Sequence, residues 1–98
     1  MVNAQEWLDR EYPKEERSEV EKLSINEKEL KGNLVLKEFT KLTKLDLSNN
    51  YLTGISFPNN SNLTYLDITN NNFSPQDLSV FSKLANLERL FIRNEVKH

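Results

Sequence analysis

The chain contains no cysteine, and that absence removes several chemistries at once. It rules out disulfides, by which small secreted domains supplement a thin core, and it leaves no thiolate to hold a metal or attack a substrate. It also favours a reducing compartment, so a cytoplasmic location is the expectation. The one histidine, His98, is the last residue. No nucleophile therefore has a base at workable spacing, and no phosphate-binding loop or metal-ligand cluster takes its place. The chain is expected not to be an enzyme and to carry no cofactor or metal. No apolar run approaches the roughly 18 residues of a membrane span, and residues 1–10 lack the basic-then-apolar layout of a signal peptide. An excess of one charge is missing too. The 13 basic and 15 acidic side chains leave a net charge of −2, too little to draw in nucleic acid or an anionic membrane from a distance. Three Asn-x-Ser/Thr sequons, at Asn59, Asn62 and Asn72, point the other way, towards secretion. With 13 asparagines in 98 residues such triplets arise by chance, and they keep a secreted alternative open without deciding it.

What the chain does have is a repeat. Leu42, Leu45, Leu47 and Asn50 follow the pattern L-x-x-L-x-L-x-x-N, and Leu63, Leu66, Ile68 and Asn71 follow it again 21 residues later. Leu87, Leu90 and Ile92 make a third copy after 24 residues, and Val20, Leu23 and Ile25 a degenerate copy 22 residues before the first. Residues two apart on an extended segment share a side, so Leu45 and Leu47 define a buried face. One such strand cannot bury that face alone. Parallel neighbours stacked on it can, and about three repeats are the minimum for stability. The expected fold class is therefore α/β, a solenoid of parallel strands with irregular, 3₁₀ or short helical returns. Asn50 and Asn71 are expected to form a ladder, their amides bonding backbone groups where the chain turns off each strand.

The returns bring further apolar residues to the opposite wall: Leu30, Leu34, Leu36 and Phe39, then Leu52, Ile55 and Phe57. Ser74-Pro75-Gln76-Asp77 reads as a helix start, and Leu78, Phe81 and Leu84 then recur every third residue, predicting an α or 3₁₀ turn over 75–83. Gly32 and Gly54 share an offset of four residues from Lys28 and Asn50, which suggests a backbone bend that side chains would obstruct. At the amino end, Asn3 with Glu6 reads as a capping-box start, and Val2 with Trp7 as a hydrophobic staple. Ala4, Trp7, Leu8 and Tyr12 form an apolar stripe at helical spacing. Trp7 is read as core rather than as a ligand-stacking residue, and the charged run over 14–21 as a solvated face. Residues 1–19 thus form a helical cap, and residues 20–98 about three and a half repeats continuous with it.

These residues resemble the leucine-rich-repeat family, from about residue 20 to 95. Leu30-x-Gly32-x-Leu34 and Leu52-x-Gly54-Ile55 are similar to the L-x-G-x-I element of plant-type repeats. The opening Ala4-Gln5-Glu6-Trp7-Leu8 through Tyr12-Pro13-Lys14 resembles the cap of leucine-rich-repeat proteins expanded in certain fungi, some of which carry kinase-like domains. Lys28 and Glu95 depart from the pattern at asparagine positions, as does the missing proline after Ile55.

The resemblance implies that the concave sheet face binds a protein or peptide partner. Strand alternation places three rows there: Lys22, Lys44, Tyr65 and Arg89; Ser24, Asp46, Asp67 and Phe91; Asn26, Ser48, Thr69 and Arg93. Phe91 reads either as an anchor for a partner or as a residue packed on a neighbour such as Arg89 or Arg93. Asp46 and Asp67 face each other across adjacent strands, but no histidine or third carboxylate joins them in these rows, so they read as solvated surface. The chain stops at Glu95-Val96-Lys97-His98 with the core side of Leu90 and Ile92 facing water. Either a further repeat or cap follows in the parent protein, or a kinase-like domain that this segment regulates, or two copies meet there as a homodimer.

Overall fold

A computed structural model describes residues 1–75 and 77–94. Along the chain come β1 (Val2–Asn3), α1 (Ala4–Glu11), a 3₁₀ helix (Lys14–Glu19), β2 (Lys22–Ser24), β3 (Leu30–Val35), β4 (Lys44–Asp46), β5 (Tyr51–Ser56), β6 (Tyr65–Asp67), a second 3₁₀ helix (Asp77–Lys83) and β7 (Arg89–Phe91). The strands form two parallel sheets. A front sheet runs β2-β4-β6-β7 and a rear sheet β1-β3-β5. The α/β solenoid expected from the repeat is the fold observed.

Each front strand contributes its middle leucine to the same layer, with Leu23 beside Leu45, Leu45 beside Leu66, and Leu66 beside Leu90. Leu23, Leu45 and Leu66 are buried, as are Ile25, Leu47 and Ile68 two residues on. The strands are short, but the ladder extends past them. Ile25, Leu47 and Ile68 donate their N–H to Asp46, Asp67 and Phe91 carbonyls, each at 2.8 Å. Thr43 and Thr64 reinforce the entry side, their hydroxyls donating to the Glu21 and Thr43 carbonyls at 3.1 and 3.2 Å.

The asparagine ladder closes the exit side. The Asn50 amide donates to the carbonyls of Ile25 (2.7 Å), Leu47 (3.1 Å) and Ser48 (3.3 Å), and its oxygen accepts from the Lys28 and Leu30 N–H groups. Asn71 repeats this one turn on, donating to Leu47, Ile68 and Thr69 and accepting from Leu52. Each amide thus serves its own turn and the preceding one. Lys28 is tolerated at the first such position because its neighbour on that side is the strand β1, through the Val2 N–H to Glu29 carbonyl bond, and not another repeat turn. Glu95 lies outside the described residues.

The returns do more than line a wall. They form the rear sheet, which the leucine pattern alone does not reveal. Leu30 and Leu34 on β3 are an even number apart, whereas Leu52 and Ile55 on β5 are an odd number apart, yet all four are buried. A bulge reconciles them. Gly32 pairs with Leu52 but Asn33 with Gly54, so Thr53 is the extra residue and the strand re-aims Ile55 inward. The two glycines do not share a conformation as their common offset suggests. Gly32 has φ of +87°, while Gly54 is outside the left-handed region and instead faces the Asn33 side chain. In the last return, the expected turn over 75–83 is 3₁₀ from Asp77, with Phe81 and Leu84 buried; the side chain of Leu78 is not among those described.

The amino-terminal helix forms as its sequence predicts. Asn3 caps it, accepting the Glu6 N–H at 3.0 Å, and Ala4 and Leu8 are fully buried with Trp7 and Tyr12 packed beside them. Two expectations are corrected. Val2 does not serve as an inward staple but lies exposed in β1, beside Leu30 at the edge of the rear sheet. The charged run over 14–21 is not wholly solvated either, because its middle residue, Arg17, is 1% exposed. Arg17 donates to the Tyr12 carbonyl (2.8 Å), the Leu8 carbonyl (3.4 Å), the Asp9 carboxylate (2.8 Å) and the Glu38 carboxylate (3.1 Å), and its guanidinium lies 5.6 Å over the Phe39 ring. The 3₁₀ helix that follows Pro13 turns this side chain back under α1, against the first return.

Candidate partner-binding surface

The three outward rows form as alternation requires. Strand register places Lys22, Lys44, Tyr65 and Arg89 side by side, and Ser24, Asp46, Asp67 and Phe91 in the next row. The third row is aligned by backbone bonds beyond the strands, from Glu27, Asn49 and Asn70 N–H groups to the Ser48, Thr69 and Arg93 carbonyls. Lys22, Lys44, Arg89 and Arg93 are exposed, and Tyr65, Asp46, Asp67 and Thr69 are half-buried.

Two of the rows contain residues already committed to the repeat. Asp46 accepts the Ser48 N–H at 2.9 Å and the Ser48 hydroxyl at 2.7 Å, and Asp67 accepts the Thr69 N–H at 3.0 Å. The aspartates are therefore turn formers, bonding backbone two residues on, and the D-x-Ser/Thr spacing was the signal for it. Ser48 is buried and spends its hydroxyl on Asp46, which leaves the surface little of it. Among the described residues, no three His, Cys, Asp or Glu side chains converge as a metal site would need. No described helix is long and apolar enough to cross a membrane.

The aromatic residues are joined to the cations. The Lys44 ammonium lies 4.7 Å over the Tyr65 ring, and the Tyr65 and Phe91 ring centroids are 5.4 Å apart at 48°. Phe91 thus packs on a neighbour, Tyr65, while 43% of it stays exposed. Leu90 and Ile92, on the other side of β7, are 41% and 46% exposed, as their place at the edge of the front sheet requires.

The profile of the family described as "Leucine rich repeat" matches residues 40–95, over half of the chain. The chain belongs to the leucine-rich-repeat family. It is 40% identical over 75 residues to Receptor-like protein 39 of Arabidopsis thaliana, in an alignment covering 69% of this chain. The chain spans 8% of that protein's length. No solved structure gives a significant match. Membership carries a general role in protein interaction, on a repeat scaffold whose function resides in its surface.

Proposed function

We propose that this leucine-rich-repeat chain binds a protein or peptide through the outward face of its front sheet and performs no catalysis, with residues 1–19 as its amino-terminal cap and the repeats beginning at residue 20. The observation that carries this is the joined patch of Lys44, Tyr65 and Phe91, a cation and two aromatic rings held by three adjacent strands with part of their surface still in water. Aromatic residues and arginine are the side chains most enriched where binding energy concentrates. Lys22, Arg89 and Arg93 surround them as a polar rim. The test compares what the wild-type chain and a Tyr65→Ala/Phe91→Ala variant capture from the source cell. A specific partner retained by the first and lost by the second supports the reading, and an unchanged set of captured proteins refutes it.

A second reading, self-association, is favoured by the exposed Leu90 and Ile92 beside an edge of β7 that no other described strand pairs with. Sedimentation over a concentration range decides it: a dimer dispersed by Ile92→Lys supports the reading, and a strict monomer at high micromolar concentration ends it. On location, the cytoplasmic expectation finds no support among the relatives. The receptor-like relative and the exposure of all three sequon asparagines, Asn59, Asn62 and Asn72, favour the secretory alternative.

A further inference from the structure

The first outward row contains three cations, one tyrosine and no carboxylate. Its members stand in register across all four front strands. Ion pairs among the described residues engage Arg10, Arg17 and Lys41, so Lys22, Lys44 and Arg89 have no carboxylate partner. The next row does not pair with them: Asp46 and Asp67 each give one carboxylate oxygen to their own turns, onto Ser48 and Thr69, and among the described residues neither forms an ion pair with these cations. Between β2 and β4 the face opens into a hollow of about 300 Å³ lined by Lys22, Leu23, Ser24, Lys44 and Asp46. Lys44 thus stands at a boundary, with the hollow on one side and the Tyr65 and Phe91 rings on the other.

The geometry points to an acidic peptide segment as the occupant of this face, with a carboxylate seated between Lys22 and Lys44 and an apolar or aromatic side chain laid on Tyr65 and Phe91. This rests on the front-sheet reading above and gives it a partner chemistry. A carboxylate arriving at Lys22 and Lys44 breaks no existing ion pair among the described residues, and a basic segment would meet cations that hold no ion pair. Like charges opposed across an interface suppress the wrong partner strongly. The patch is short. Four strands at about 4.8 Å spacing span only a few residues of an extended peptide, and the exposed carboxylates of Glu21 and Glu88 adjoin its two ends in sequence. A long polyanion such as nucleic acid therefore finds no continuous basic track.

A displayed random-peptide library selected against the full chain tests this, alongside selections against Lys22→Glu/Lys44→Glu and Tyr65→Ala/Phe91→Ala. The substituted side chains are exposed or half-exposed, and circular dichroism and melting of each variant establish that it is folded. The expected wild-type pool is enriched in Asp and Glu together with a large apolar or aromatic residue. The most enriched peptide, synthesised and labelled, should bind about tenfold or more weakly to the charge-reversed variant, and should weaken as salt rises. A pool with no acidic excess, or one unchanged by charge reversal, overturns the inference. If Tyr65→Ala/Phe91→Ala still alters such a pool, the front-sheet reading stands and only the acidic chemistry falls. If neither variant alters the pool, or nothing is enriched, both fall. A labelled oligothymidylate bound more tightly than the best peptide overturns it in favour of a polyanion.

Discussion

Glu27, Asn49 and Asn70 occupy the same turn of successive repeats, and all three have positive φ, at 55°, 59° and 56°. The left-handed region costs most residues about 1–2 kcal/mol, and asparagine is among the few that enter it readily. Glu27 is thus the one strained member of the set, and its backbone bond to the Ser48 carbonyl would survive substitution. Glu27→Asn should raise stability by about 0.5–1 kcal/mol, read as a higher denaturant midpoint at unchanged slope; a lower midpoint would show that the turn is not strained there. The asparagines one residue further on differ in burial. Asn50 is buried with five side-chain hydrogen bonds, while Asn71 is half-buried with four. Each backbone group orphaned in the interior costs about 1–3 kcal/mol, so Asn50→Ala should cost about 3 kcal/mol or more and Asn71→Ala about half of that. Equal losses would mean that the ladder is not what the bonds describe. Both asparagines were legible from spacing alone. Arg17 was not, because its run of charged neighbours reads as solvated and its partners lie elsewhere, Leu8, Asp9 and Tyr12 before it and Glu38 21 residues after it.

At the scale of elements, α1 is joined to the first return through that arginine, and the joint is sensitive to acid. The Arg17 guanidinium, followed by the Gln5 amide, holds the Asp9 carboxyl below its usual range. A carboxyl depressed on folding stabilises above its unfolded pKa, about 3.9, and loses that contribution as pH falls through the lower folded value. Stability should therefore fall as pH drops below about 4, and Asp9→Asn should flatten that slope in acid titrations of the melting temperature; an unaltered slope would remove Asp9 from the account. Arg17→Lys should not rescue Arg17→Ala, since a single ammonium cannot reproduce a planar fork reaching two carbonyls and two carboxylates. The rear sheet makes a separate prediction. Gly32→Ala should cost about 1–2 kcal/mol, since φ there is positive. Gly54→Ala should cost under about 1 kcal/mol, because the atom it meets belongs to the exposed, rotatable Asn33 side chain. Front strands and helix were readable from periods of two and nearly four. The rear sheet was hidden by the bulge at Thr53, which breaks alternation while preserving burial.

For the molecule as a whole, a chain of 98 residues has a total stability of about 5–15 kcal/mol, so each of the larger losses above is a substantial part of it. The core runs without interruption from Ala4 and Leu8 beneath the first helix to Phe81 and Leu84 in the last return. Much of that was readable in advance, since the leucine spacing states the fold and alternation states which side chains face outward. The division of labour within the outward rows was not. Asp46, Asp67 and Ser48 look like binding residues in sequence and turn out to be engaged with their own turns, which leaves Lys22, Lys44, Tyr65, Arg89, Phe91 and Arg93 as the chemistry the face offers. Site-specific photocrosslinking tests most directly whether this face meets the partner. The photoreactive residue p-benzoylphenylalanine is placed at position 65 on the front sheet or, as a control, at position 60 on an exposed return loop, and both proteins are irradiated in extract of the source cell. A discrete adduct from position 65 and none from position 60 is the predicted result; an adduct from position 60 alone would contradict it.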